Sequence, residues 1–294
     1  MIHRTETDAY VLNRPQTARA PLVFSSPHSG RAYEQAFLDR VMLDSSQIRS
    51  SEDAFVDELI GMAPAAGIPV LAARVPRACL DLNRGCDELD PAVIEGIARA
   101  AHNPRVSSGL GVIPRVVAQG RNIYRGKIPL AEAEARITRH WHPWHDRLKD
   151  LLRAAHLEFG EAVLLDWHSM PHEAIEVHSR AGIAHPEVVL GDRFGASAAR
   201  DVTDRVEAAF RRAGLRVVRN APFAGAYIAQ TYGRPSQGQH VVQIEIDRAL
   251  YMDETAIRRS ADFTAFRQVI GSIVSELADA FGRPGANSLP LAAE

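Results

Sequence analysis

Cysteine is scarce in this sequence, which contains only Cys79 and Cys86 among its 294 residues. The two thiols are seven positions apart, a spacing that fits neither a zinc-binding nor a redox motif, and one pair makes no disulfide framework. Long apolar stretches are also missing, because polar residues interrupt every window of the roughly 18 residues that a membrane-spanning helix needs. These absences argue against a disulfide-rich secreted domain and against a membrane span.

Neither sign of charge dominates, since 34 basic and 36 acidic side chains leave a net charge of -2. Without a basic excess, general nucleic-acid binding is not expected. Residues 1–16 are polar and lack the apolar core of a secretory signal peptide. We therefore expect a cytoplasmic protein that binds neither nucleic acid nor membrane, with oligomerisation left open.

Internal repeats and low-complexity linkers are absent as well, which favours one domain spanning residues 1–294. Short apolar segments alternate with amphipathic ones. This alternation predicts an α/β fold, a three-layer α/β/α sandwich with a mostly parallel mixed sheet. The predicted strands cover residues 21–25, 68–73, 162–166, 187–190, 215–218 and 240–246. The predicted helices cover residues 51–62, 130–158, 196–213 and 256–281, with a possible kink at Pro143.

Three segments at or beyond predicted strand ends carry metal-binding side chains. His28 follows the first strand, Asp166 and His168 end the third, and an acidic pair occupies residues 52–53. A lone histidine is more often structural, and acidic residues at a helix start usually cap it. Taken together, two histidines and one carboxylate match the protein ligands of a catalytic zinc site, with Asp166 as an orienting carboxylate.

Two further segments suggest substrate binding and proton transfer. Arg77, Asn83 and Arg84 are suited to anion recognition, with Asp81 placed to hold an arginine. The alternative is a solvated loop with a surface salt bridge. Glu245 alternates with apolar neighbours on a predicted buried strand. Burial would raise the pKa of its carboxyl group towards the value that a general base needs near neutral pH. The alternative is a structural carboxylate paired with a nearby arginine.

Other polar residues are weaker candidates for a site. Five of them lie in glycine-rich segments and are candidates for further anion contacts, with flexible surface loops as the alternative: Arg115, Tyr124, Arg125, Arg234 and His240. A histidine trio lacks a well-placed acidic partner and is interpreted as packing or solvated: His140, His142 and His145.

Eight segments, in order between about residues 20 and 255, resemble the N-formylglutamate amidohydrolase family. They are SPHSG, SEDAFVDEL, DLNR, GVIPR, IYRG, DWHSMP, VVLGDRFG and QIEIDRALYMDE. Any one of these motifs is weak, but eight in order are specific. A more distant similarity links the family to zinc carboxypeptidases and aspartoacylase-like hydrolases, and it implies that the sandwich is phosphorylase/hydrolase-like.

The resemblance implies one bound Zn²⁺ with His28 and His168 as ligands. The distant peptidases place their acidic ligand three residues after the first histidine, but residue 31 is arginine here. The acidic ligand must therefore come from elsewhere. Asp53 fits the acidic position of the family best, and Glu52 is the alternative.

The resemblance also implies hydrolysis of N-formyl-L-glutamate to formate and L-glutamate, a step of histidine degradation. Asn83 and Arg84 would hold a substrate carboxylate with help from Arg125, Glu245 would be the general base, and Arg77 would stabilise the oxyanion. Two alternatives stay open: another N-acyl-amino-acid hydrolase acting on acetyl or succinyl groups, and a non-catalytic amino-acid-binding protein.

Overall fold

An eight-stranded mixed sheet forms the centre of the computed structural model, which describes residues 2–97, 103–176 and 185–282. Its strands, numbered along the chain, are β1 Ile2–Glu6, β2 Tyr10–Pro15, β3 Leu22–Ser26, β4 Val70–Ala73, β5 Ala162–Met170, β6 Val188–Gly191, β7 Val217–Arg219 and β8 Gln239–Asp247. They lie in the order β1-β2-β4-β3-β5-β8-β6-β7. The four central strands β4, β3, β5 and β8 run parallel, and antiparallel pairs flank them.

Helices and short turns connect the strands. The helices are α1 Gln35–Leu38, α2 Val56–Leu59, α3 Pro104–Ser107, α4 Leu130–Arg136, α5 His142–Phe159, α6 His172–Glu176, α7 Arg200–Arg212, α8 Tyr227–Tyr232 and α9 Phe263–Phe281. The 3-10 turns cover Ile48–Ser51, Ala63–Ala66, Ala118–Gly120, Pro235–Gln237 and Arg248–Leu250. Two small ladders pair Val116–Val117 with Arg121–Asn122 and Met252–Asp253 with Arg258–Arg259.

The apolar core is divided by the sheet into two clusters. Successive side chains of a strand point to opposite faces, so Leu164 and Leu165 of β5 enter different clusters. Trp144 of α5 packs on the side of Leu164, whereas Phe210 of α7 and Ile270 of α9 pack on the side of Leu165. The predicted three-layer sandwich with a mixed sheet is therefore confirmed.

All six predicted strands are present, with ends shifted by a few residues. The largest change is in β5, which continues to Met170, so that Asp166 and His168 lie inside the strand. The antiparallel strands β1 and β2 were not predicted. All five residues of β1 are exposed, and its sequence has no apolar alternation that could indicate a strand.

The predicted helix over residues 51–62 is wrong over most of its length, because only Val56–Leu59 is α-helical. Phe55 has a left-handed backbone with φ of 67°, which interrupts the helix before it. Upstream, the Asp53 N–H donates to the His28 carbonyl oxygen at 3.0 Å. This contact with the loop after β3 replaces a helical hydrogen bond and fixes the position of Asp53.

The other predicted helices are present with different starts. The helices predicted over residues 196–213 and 256–281 start later than expected, at Arg200 and Phe263. The helical region from Leu130 continues without a break through a π-helical turn at Ile137–Trp141, and Pro143 lies in the first turn of α5. Among the described residues, no helix is both long and apolar enough to cross a membrane.

The loop that carries His28 depends on a close backbone contact at Gly30. A Cβ atom at position 30 would lie 2.1 Å from the Val75 carbonyl oxygen. We expect Gly30→Ala to lower the free energy of unfolding by about 1–3 kcal/mol, because main-chain atoms must move apart. Denaturant unfolding followed by circular dichroism measures the change.

Gly126→Ala is the matched control, since an added Cβ there meets no atom within 4 Å. Its expected change is within about 0.5 kcal/mol. Equal losses in the two variants would contradict the steric explanation.

Candidate active site

Three side chains from distant parts of the chain meet near the carboxyl ends of the central strands. His28 follows β3, Asp53 precedes α2, and His168 lies in β5. The Asp53 Oδ2 atom lies 3.0 Å from His168 Nδ1 and 3.3 Å from His28 Nδ1, and the two ring nitrogens are 3.1 Å apart. All three side chains are buried. The structure thus brings the three predicted metal-binding residues together around one point.

Each histidine presents Nδ1 to this point because a carboxylate holds its Nε2. The Nε2 atom of His28 lies 2.7 Å from Asp81 Oδ1, and that of His168 lies 2.8 Å from Asp166 Oδ2. Since a carboxylate accepts hydrogen bonds, we assign the ring protons to Nε2. Both Nδ1 lone pairs then face Asp53 Oδ2. Three converging acceptors with no proton between them fit a divalent cation.

Asp81 connects this cluster to the predicted anion-binding segment. Burial alone would raise its pKa, but interactions with His28, Arg77 and Arg84 hold the pKa well below its usual range. The carboxylate accepts from Arg77 Nε at 3.1 Å and from the Asn83 main-chain N–H at 2.8 Å. One buried, ionised carboxylate therefore positions both a histidine and the segment that carries the arginines.

Asp53 is the acidic residue that faces the histidines, and Glu52 is turned away. The second oxygen of Asp53 accepts from Arg248 Nη2 at 3.0 Å. Glu52 accepts from Arg49 Nε at 3.0 Å and from the Tyr33 hydroxyl at 2.6 Å. Glu52 is thus engaged with its own partners outside the cluster.

Glu245 lies beside the cluster on β8, directly opposite His168 in the parallel pairing with β5. Burial raises its pKa to about 7 although the neighbouring His168 lowers it. Gln243 Nε2 donates to Glu245 Oε1 at 2.8 Å, and Gln243 Oε1 accepts from the Ala226 N–H at 2.9 Å. The amide of Gln243 therefore holds one oxygen of Glu245 in place.

These groups share one cavity of about 470 Å³. Arg77, Asn83, Arg84 and Glu245 all line it. Arg125 does not line the cavity, because it is exposed. Its main-chain N–H donates to the Arg40 carbonyl oxygen, which holds the segment in this position. The structure therefore does not bring Arg125 to the site.

The weaker polar candidates do not line this cavity either: Arg115, Tyr124, Arg234, His240, His140, His142 and His145. Arg115 donates to Asp90 at 3.0 Å. The ring nitrogens of His145 contact the Tyr232 hydroxyl at 2.8 Å and the Leu82 carbonyl at 3.0 Å. These contacts agree with a packing role for His145, whereas His142 is exposed, so both parts of the expectation for the histidine trio, packing or solvated, are represented.

Three cavity residues were missed in the sequence: Arg105, Gln243 and Arg248. A signal existed for Gln243, which stands two positions from Glu245 and so faces the same side of the strand. Arg248 closes the same QIEIDR segment, but its partner Asp53 lies 195 positions away. For Arg105 the sequence offers no comparable signal.

The model of the N-formylglutamate amidohydrolase family matches residues 20–252. The chain belongs to this family. The N-formylglutamate deformylase of Pseudomonas aeruginosa PAO1 is 32% identical over an alignment of 277 residues, and the match covers 90% of this chain and 95% of the relative. That of Pseudomonas putida is 29% identical over an alignment of 246 residues, with coverage of 81% of this chain and 84% of the relative. The resemblance seen in the sequence is confirmed, and the protein is an enzyme of the amidohydrolase type.

Solved structures agree with this assignment. The crystal structure of N-formylglutamate amidohydrolase from Ralstonia eutropha JMP134 has a TM-score of 0.86 and 33% identity, covering 93% of this chain and 98% of that one. The gene product Atu2144 from Agrobacterium tumefaciens has a TM-score of 0.57 and 17% identity, covering 88% and 92% of the two chains. The latter likeness concerns the fold alone.

The geometry predicts different effects for the two neighbouring acidic residues. With a divalent metal in the cluster, Asp53→Asn should weaken metal binding by more than the roughly 10- to 100-fold that the loss of an outer-shell partner costs, because one of the three converging donor atoms is replaced. Glu52→Gln should keep the metal. Metal per chain, measured by elemental analysis after dialysis against a weak chelator, distinguishes the variants. Metal loss in Glu52→Gln with retention in Asp53→Asn would reverse the assignment.

Proposed function

We propose that this chain hydrolyses N-formyl-L-glutamate to formate and L-glutamate at one divalent metal ion, with Zn²⁺ as the first candidate. The observation that carries the proposal is the meeting of His28 Nδ1, His168 Nδ1 and Asp53 Oδ2 within 3.3 Å of one another, in the cavity that Glu245 also lines. The names of the curated relatives support the same substrate.

The donor atoms suit zinc, since two imidazole nitrogens and one carboxylate oxygen are typical of catalytic zinc sites. When bound, the ion would lower the pKa of a water molecule and polarise the formyl carbonyl. The chain holds the three donors in advance through Asp81, Asp166 and Arg248. Outer contacts of this kind keep ligand atoms oriented.

Glu245 is the proposed general base. A carboxyl group with a pKa of about 7 can accept a proton from the attacking water and return it to the leaving amine near neutral pH. Gln243 donates to Oε1, which leaves Oε2 as the atom that moves the proton. Proton transfer through one defined oxygen follows from that hydrogen bond.

Arg77 is the proposed donor to the developing oxyanion. Its Nε is committed to Asp81 at 3.1 Å, so the terminal nitrogens are available to the substrate. Asp81 in turn contacts His28, so Arg77 and a proposed metal ligand share one carboxylate, which supports this role. A positive donor fixed before the reaction stabilises the negative charge that forms on the formyl oxygen.

Asn83 and Arg84 are the proposed ligands of the α-carboxylate. The Asn83 Oδ1 accepts from the Ile228 N–H at 2.7 Å, and the Asn83 Nδ2 lies 3.3 Å from His168 Nε2 in a residue that lines the cavity. Arg84 donates through Nε to the Leu110 carbonyl and through Nη1 to the Asn83 carbonyl, both at 2.9 Å. These bonds hold the guanidinium rigidly, and its remaining N–H groups can bind an anion.

The first test concerns the base. Glu245→Gln should lower kcat by about 10²–10⁴-fold, because the amide cannot accept the proton but keeps the shape and the contact with Gln243. Metal content should not change. Steady-state kinetics together with elemental analysis measures both quantities. Turnover close to that of the parent protein would remove Glu245 from the mechanism.

The second test concerns the reaction. Formate release from N-formyl-L-glutamate should stop after treatment with a chelator and return when Zn²⁺ is added, because the three donors alone provide no Lewis acid. N-acetyl- and N-succinyl-L-glutamate in the same assay test the alternative acyl groups. Faster turnover of either would make the protein another acyl-amino-acid hydrolase, and binding without hydrolysis would favour a non-catalytic protein.

A further inference from the structure

Arg105 of α3 lines the same cavity as the metal cluster and has no role in the chemistry described so far. We propose that Arg105 binds the side-chain carboxylate of the substrate and thereby selects acidic over neutral N-formyl amino acids. This inference rests on the proposed function, because it assumes that a formylated amino acid occupies the cavity. It adds a second anion subsite to the one formed by Asn83 and Arg84.

The side chain of Arg105 is half-buried, and its guanidinium has no hydrogen-bond or ion-pair partner among residues 2–97, 103–176 and 185–282. The other cavity arginines differ in this respect. Arg77 and Arg248 donate to carboxylates, and Arg84 donates to main-chain carbonyls. A half-buried cation that faces a cavity without a counter-charge is suited to an anionic ligand.

Two chains of hydrogen bonds fix Arg105 relative to Arg84. Asn103 Oδ1 accepts from the Arg105 N–H at 2.9 Å, and Asn103 Nδ2 donates to Glu88 Oε2 at 3.2 Å. Glu88 Oε1 accepts in turn from the N–H of Gly85, the residue after Arg84, at 2.9 Å. The short helix α3 is thereby tied to the anion-binding segment.

Leu110 provides the second connection. Its N–H donates to the Arg105 carbonyl at 2.8 Å, while its carbonyl accepts from Arg84 Nε at 2.9 Å. The main chain at Arg105 is therefore tied to the Arg84 segment on both sides. Two cations carried by connected segments suit a substrate with two carboxylates.

Electrostatics favour the same conclusion. Burial lowers the pKa of Arg84, and the positive charges of Arg77 and Arg105 lower it further, although Asp81 acts in the opposite direction. Arg105 is thus close enough to Arg84 for the two charges to repel each other. A dianionic substrate would neutralise both.

The covalent structure of the substrate decides which arginine meets which carboxylate. The α-carboxylate is attached to the carbon that bears the scissile nitrogen, so it must lie near the reacting centre. Asn83, 3.3 Å from His168, and its neighbour Arg84 are placed for it. The second carboxylate lies two methylene groups farther away, and we assign it to Arg105, whose guanidinium has no partner in the part of the chain that the structure describes.

The experiment compares two substrates of equal size that differ in one charge, N-formyl-L-glutamate and N-formyl-L-glutamine. Arg105→Gln should lower kcat/KM for the glutamate derivative by about 10- to 100-fold, because a charge-assisted hydrogen bond is lost. For the glutamine derivative the change should stay within about 3-fold. Arg105→Lys should restore part of the glutamate preference. Arg153→Gln, which alters an arginine exposed on α5, is the control and should leave both values unchanged.

Binding of L-glutamate and L-glutamine to the metal-loaded protein, measured by calorimetry, gives a readout that does not need turnover. A preference for glutamate that disappears in Arg105→Gln supports the subsite, whether or not the parent protein releases formate. Failure of the parent protein to release formate would count only against the proposed reaction. Equal losses for both substrates or both amino acids, or a preference that persists in the variant, would overturn the assignment of Arg105.

Discussion

The pairing of two buried imidazoles with two buried carboxylates is the constraint around which the site is organised. A buried carboxylate is costly unless it is hydrogen-bonded, and Asp81 and Asp166 meet that requirement through His28 and His168. Asp81 also bonds Arg77 and the segment that follows it. The position of the proposed anion-binding residues therefore depends on the same carboxylate that orients a histidine of the proposed metal site.

Much of the fold could be predicted because its central strands are buried on both faces and read as short apolar runs. The same reasoning located His28, His168 and Glu245, since side chains near the carboxyl ends of neighbouring parallel strands come together. It failed for the helix at 51–62. The periodicity of the sequence cannot reveal the hydrogen bond from the Asp53 N–H to the His28 carbonyl oxygen. This contact between distant segments interrupts the helix.

The remaining parts of the site depend on partners that are far apart in the chain. Arg248 donates a hydrogen bond to Asp53, which is 195 positions away in the sequence. The Ile228 N–H donates to Asn83, which is 145 positions away. No local pattern encodes such pairs, because they arise only when the sheet brings its loops together. Arg125 illustrates the converse: its residue type and its motif suited anion binding, but its segment places it on the surface.

The residue-by-residue pairing of β5 with β8 has a consequence for the evolution of the family. Glu245 faces the cluster of His28, Asp53 and His168 only because it stands level with His168 in an uninterrupted ladder of nine residue pairs. Side chains alternate between faces, so deleting or inserting a single residue upstream in β8 would turn this carboxylate into the opposite apolar core. Length variation among descendants of this sequence should therefore be confined to the loops, while the two strands diverge by substitution alone.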